Sequence, residues 1–134
     1  MLREDYIVKL IRRAAGAIAR ALQLTSDGEQ LEEADLELSE ALRLLIKLPR
    51  NTAAKLDSKT LAQMMDDRRV TRLVARAFFV EGEIRWRQGR SAEARRSYQR
   101  AMELYLAAEV GDAPEDVGTA QAVLKRLEQL KSAD

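Results

Sequence analysis

Apolar residues recur at three- and four-residue spacing in long runs along this chain, and short polar stretches separate the runs. The first spans about Arg3 to Leu24, where Tyr6, Ile7, Leu10, Ile11, Ala14, Ile18, Ala21 and Leu22 fall on one helical stripe. Thr25-Ser26-Asp27-Gly28 supplies turn and capping residues that end it. The second runs from about Glu29 to Leu48 and turns Leu31, Ala34, Leu38, Ala41, Leu42 and Leu45 inward. Its early acids Glu29, Glu32 and Glu33 suit the positive end of a helix dipole, and Pro49 stops it.

Residues 49–57 predict a connector, and Ser58 predicts a cap for a short helix carrying Leu61, Met64 and Met65. A longer helix follows from about Asp67 to Gln88, with Val70, Val74, Phe78 and Phe79 among its apolar positions. Gly89-Arg90 reverses the chain, and Ser91 is placed to cap the next helix, which passes Tyr98, Ala101, Met102 and Tyr105 to about Val110. Beyond Gly111-Asp112-Ala113-Pro114, with Asp112 as the cap, a last helix carries Val117, Ala120, Val123, Leu124, Leu127 and Leu130. The expectation is one all-α domain over residues 1–134, built of about six helices. Hairpin one occupies about 3–48, a connector and short helix about 49–66, hairpin two about 67–110, and a terminal helix about 114–131.

Within hairpin two, the small residues Gly82, Ala94 and Ala101 alternate with the aromatics Phe78 and Tyr98. Small residues at such offsets let paired helices approach closely. The arrangement resembles a tetratricopeptide repeat at these five positions. It departs at Glu81, at Arg85 and at Leu106, where that repeat favours leucine, tyrosine and proline. Sixty residues earlier, Ala34, Leu38, Ala41, Leu44 and Leu45 echo Ala94, Tyr98, Ala101, Leu104 and Tyr105, while Leu22 stands in the place of Gly82. Alanine and large residues in this order also occur in other antiparallel helix pairs. The opening Asp5-Tyr6-Ile7 with Leu10-Ile11, taken with two such hairpins, is similar to a small bacterial tetratricopeptide-repeat-like family of unassigned function. That resemblance implies tetratricopeptide-like antiparallel hairpins with a C-terminal capping helix, and it carries over no catalytic residue.

Leucine and alanine, both strong helix formers, dominate the apolar positions, and aromatics make up only 4% of residues. The chain contains no cysteine and no histidine, which removes disulfides, thiolate nucleophiles, Cys/His zinc sites and imidazole acid–base chemistry together. No catalytic constellation emerges and no cofactor or metal is expected, so the chain reads as a non-enzyme. The start, MLREDYIVKLIRR, lacks the apolar core of a signal peptide, and no run approaches the roughly 20 apolar residues of a membrane span. The expected setting is therefore cytoplasmic.

Net charge is +1 but unevenly spread. Residues 25–48 hold seven acids and two bases, a balance of −5, and residues 68–100 hold ten arginines and three acids, a balance of +7. The arginines could bind nucleic acid or another polyanion, or could serve as intramolecular partners for the acidic second helix. An overall pI near 8.0 does not suggest a dedicated nucleic-acid binder. The Glu29–Glu40 acids lack a second ligand set and read as a solvated face. In tetratricopeptide-like domains the first helix of each hairpin lines a concave groove. That resemblance would place Arg76, Phe79, Glu83, Trp86 and Arg87 in a partner-binding groove, with an apolar floor flanked by arginines to suit a protein or peptide segment of acidic character. The alternative is that Phe79 and Trp86 pack against the first or last helix. Leu2, Tyr6, Leu36, Leu44 and Tyr105 exceed what a small core is expected to hide, which points to a homodimer. The combined expectation is a protein-interaction module that binds a segment or another copy of itself.

Overall fold

A computed structural model describes residues 2–131 of the chain. Among them are seven α-helices and no strand: α1 (Leu2–Asp27), α2 (Leu31–Ile46), α3 (Arg50–Ala54), α4 (Ser58–Met65), α5 (Arg68–Arg87), α6 (Ser91–Ala108) and α7 (Pro114–Gln129). The architecture is all-helical hairpins with a C-terminal helix, as the periodicity predicts. The element beyond the expected six is α3, which lies inside the segment expected to be a plain connector. Five residues are too few for a helix to hold itself. Arg100 of α6 compensates by donating Nη1 to the Ala53 carbonyl at 3.2 Å and Nη2 to that of Leu56. The Ala53 carbonyl, which also accepts the Leu56 N–H at 3.1 Å, lies in the last turn of α3, and Leu56 follows just beyond it.

Several helix ends fall a place or two from where the sequence puts them. Thr25 stays helical because its hydroxyl donates back to the Ala21 carbonyl at 2.7 Å, and the break waits for Gly28 at φ 78°. The second helix is shorter than expected at both ends, and Lys47 closes it in the left-handed region. Asp57 rather than Ser58 caps α4, accepting the Thr60 N–H at 2.7 Å. Ser58 instead donates to Glu103 on α6. The N-cap of α6 is Arg90 rather than Ser91, that of α7 is Ala113 rather than Asp112, and neither gives a side-chain cap bond. Pro114 opens α7, where its missing N–H costs nothing.

Helices α1 and α2 run antiparallel, with Arg20 against Glu37 and Arg13 against Glu40. Their seam is built on buried alanines (Ala14, Ala17, Ala21, Ala34 and Ala41), so the backbones approach closely. Helices α5 and α6 form the second hairpin around Gly89 at φ 77°. There Gly82 faces the ring of fully buried Tyr98. Tyr105, expected among the surplus apolar groups, is also fully buried, and its hydroxyl donates to Asp116 on α7 at 3.2 Å. Of the other surplus candidates, Leu36 and Tyr6 are 72% and 54% exposed and Leu44 is half-buried. The Leu2 side chain lies outside the described residues.

The hairpins pack directly, α1 and α2 against α5, and α3 adds a polar link between them. Arg50 donates to Ser39 at 2.7 Å and to Glu81 at 2.6 Å, and its guanidinium lies 3.1 Å from Asp35. Ser97 donates to the other Glu81 oxygen at 2.7 Å. One guanidinium thus links α2, α3 and α5, and Glu81 extends the chain of bonds to α6. Its pKa is raised: burial opposes the charged form, but Glu81 and Asp35 outweigh it. The Glu81 that interrupts the repeat-like pattern is therefore a structural junction.

Candidate interaction groove

One face of α5 presents Arg72, Arg76, Phe79 and Glu83 at three- and four-residue spacing, with Trp86 and Arg87 at its far end. Helix α1 flanks this face on one side and α7 on the other. Arg76 and Glu83 meet Asp116 and Arg126 in the same order along α7, so α5 and α7 run parallel. Between α1 and α7 a cleft of about 420 Å³ opens over α5. Its α1 wall is Ala15, Ile18, Ala19 and Leu22, its α7 wall is Pro114, Glu115, Gly118, Thr119 and Ala122, and Phe79 and Arg76 lie on its floor. Both walls repeat small residues four apart, Ala15 and Ala19 against Gly118 and Ala122, which keeps the trough open. Arg76 spends Nη2 on Asp116 at 3.0 Å, while its Nε is buried without a hydrogen-bond partner among the described residues.

The far end of the same α5 face is closed. Glu83 is buried, and its carboxylate accepts from Tyr98 Oη at 2.5 Å, from Arg126 Nε at 2.8 Å and Nη2 at 3.1 Å, and from Arg87 at 3.3 Å. Burial alone would push this carboxyl up. The Arg126 fork and the Tyr98 hydroxyl reverse that and hold it below the usual carboxylate range. Burial and the neighbouring Glu83 carboxylate drive the Tyr98 phenol well above its ordinary value. The Arg126 guanidinium also lies 3.9 Å from the Trp86 ring centre, in cation–π range. A carboxylate so fully saturated has no lone pair left to take a proton from a substrate.

Eight of the ten arginines between 68 and 100 have partners within the chain. Arg68 faces Glu109, Arg69 bridges Glu4 and Asp67, and Arg72 donates to the Glu109 and Ala108 carbonyls at the end of α6. Arg76, Arg85, Arg87 and Arg90 pair with Asp116, Asp35, Glu83 and Glu93, and Arg100 serves α3. Arg95 and Arg96 have no such partner among the described residues. The acidic second helix is not the main recipient: only Arg85 of this set reaches it, and Arg13, Arg20, Arg43 and Arg50 provide its other pairs.

Of the five groove residues read from sequence, the structure brings Arg76 and Phe79 into the open cleft. It places Glu83 and Trp86 against Arg126 of α7 and pairs Arg87 with Glu83, so for Trp86 the packing alternative describes the contact found. Sequence reasoning missed Asp116 and Arg126. Both carry a signal: they fall on the apolar stripe of α7, four residues before Ala120 and three after Val123, where an isolated charge needs a buried partner. Among the described residues no cluster of three or more acids is placed to hold a metal ion, and no helix is long and apolar enough to cross a membrane. Comparison with protein-family models, curated proteins and solved structures gives no match.

Proposed function

We propose that this protein is a non-enzymatic interaction module, tetratricopeptide-like in the pairing of its hairpins, that takes a protein segment in the cleft between α1 and α7. The observation that carries the reading is the floor of that cleft, where the half-buried Phe79 ring lies beside the unpartnered Arg76 Nε. A buried N–H without an acceptor is costly. A carbonyl or carboxylate from a segment laid along the trough supplies one, and apolar side chains of that segment meet Phe79 and Leu22. A largely apolar segment with one acceptor fits this site better than a strongly acidic one, because Asp116 already neutralises Arg76. A cytoplasmic setting belongs to the same proposal. The polyanion alternative has mainly Arg95 and Arg96 to draw on.

Ala19 is exposed on the cleft wall, so Ala19→Asp alters the trough while sparing the core. Affinity capture with the tagged chain, compared among wild type, Ala19→Asp and Leu36→Asp, tests the reading. Partners lost at least tenfold with Ala19→Asp and kept with Leu36→Asp support it. Partners insensitive to Ala19→Asp remove the cleft as the binding site.

A further inference from the structure

The α7 helix seats on α5 and α6 through contacts that are specific and local. Arg126 forks onto Glu83 and stacks on Trp86, and Asp116 joins Arg76 to Tyr105. Five residues, 109–113, tether it to α6. This tether is bent by force of backbone geometry: Glu109, which is not a glycine, sits at φ 64° and Gly111 at φ 78°. A left-handed non-glycine residue stores strain that straightening the tether releases. Two arginines of α5 hold the bend from outside: Arg72 donates Nε to the Glu109 carbonyl at 2.7 Å with its guanidinium close to Gly111, and Arg68 lies 3.6 Å from the Glu109 carboxylate.

We propose that α7 is an exchangeable arm: in a dimer of this chain, the α7 of each copy occupies the α5–α6 seat of the other. Exchange remakes every seat contact, so the balance between monomer and dimer is set by the tether and by concentration. A strained, short connection shifts that balance towards the dimer. In the exchanged dimer the second copy contributes Arg126 to the Glu83 carboxylate and Trp86. It also contributes Gly118 and Ala122 to the wall of the groove, so each cleft is built from two chains. The proposal concerns the α7 seat and stands whether or not the cleft binds a segment.

Removing residues 110–113 leaves a connection too short for α7 to fold back on its own α6, since helical hairpins need roughly two to five loop residues. Light scattering then reads the mass, and Trp86, the only tryptophan, reads the seat. The expected result is a species of twice the mass of the shortened chain, with Trp86 emission like that of the full chain. A monomer, whatever its emission, overturns the proposal. If the shortened chain does not fold, full-length Glu83→Lys and Arg126→Glu chains decide. Each alone sets like charges against each other at the seat, and mixing matches both seats only through exchange. A one-to-one heterodimer by native mass spectrometry supports exchange, and its absence from the mixture overturns it.

Discussion

An alanine at position 82 would place its Cβ 2.5, 2.7 and 2.8 Å from three carbons of the Tyr98 ring. That ring cannot step aside: it is fully buried, and its hydroxyl is fixed to Glu83 at 2.5 Å. Overpacking of this kind costs about 1–3 kcal/mol. The roughly 0.5–1 kcal/mol an alanine gains over glycine inside a helix does not offset it. Gly82→Ala is expected to lower the urea midpoint with the slope unchanged, whereas the same change at Gly118, where no heavy atom lies within 4 Å of an added Cβ, is expected to leave it equal or higher. Equal midpoints for Gly82→Ala and wild type would refute the close approach. The need for a small residue at 82 was legible in the sequence, because it follows from spacing within two neighbouring helices. The Tyr98–Glu83–Arg126 chain was not, since Arg126 lies 43 residues from Glu83 and nothing in local periodicity selects the partner.

At the scale of elements, Arg50 is the residue whose side chain ties α2, α3 and α5 together at the joint between the hairpins. Truncation to alanine leaves Glu81 with Ser97 alone and Asp35 with the 3.6 Å contact to Arg85. Hydrogen bonds to charged groups are worth about 1.5–3 kcal/mol each, so Arg50→Ala is expected to destabilise the fold by about 2–3 kcal/mol. Lysine keeps the charge but cannot reach Ser39 and Glu81 from two planar nitrogens, and Arg50→Lys should recover only part of the loss. Chemical denaturation checks both, and an Arg50→Ala midpoint equal to wild type would mean the junction is ornamental. The long helices were readable because burial imposes one face on a 3.6-residue period. The short α3 was not: its stability comes from Arg100 on a distant helix, and PRNTAAKLD has no period of its own. Ser58, Ser91 and Asp112 were plausible caps by residue type, but the structure begins those helices from Asp57, Arg90 and Ala113. Capping preference ranks residues at a boundary and does not place the boundary to a single residue.

Across the whole molecule, charge is used to hold helices to one another more than to present a surface, and the seat of α7 concentrates that use. Glu83 is the group on which it turns. Its folded pKa lies below its ordinary value, so the stability it contributes is fully present above the unfolded carboxylate pKa, roughly pH 4.3, and is lost as pH falls through the folded value. Protonation weakens the Arg126 fork at the same time, because a neutral carboxyl no longer offers two charged acceptors. Arg126 then relaxes from the Trp86 face, and the lone tryptophan reports the event directly. Acidification below roughly pH 4 is therefore expected to change Trp86 emission. Glu4, Glu40 and Asp67 are also held below their ordinary values by arginines and contribute to any general acid lability, so the comparison with Glu83→Gln isolates the local step. That variant should begin with altered emission at neutral pH and show a smaller acid transition than wild type. Identical acid midpoints and amplitudes in the two chains would show that α7 is held by its apolar stripe alone and that the charged seat is incidental.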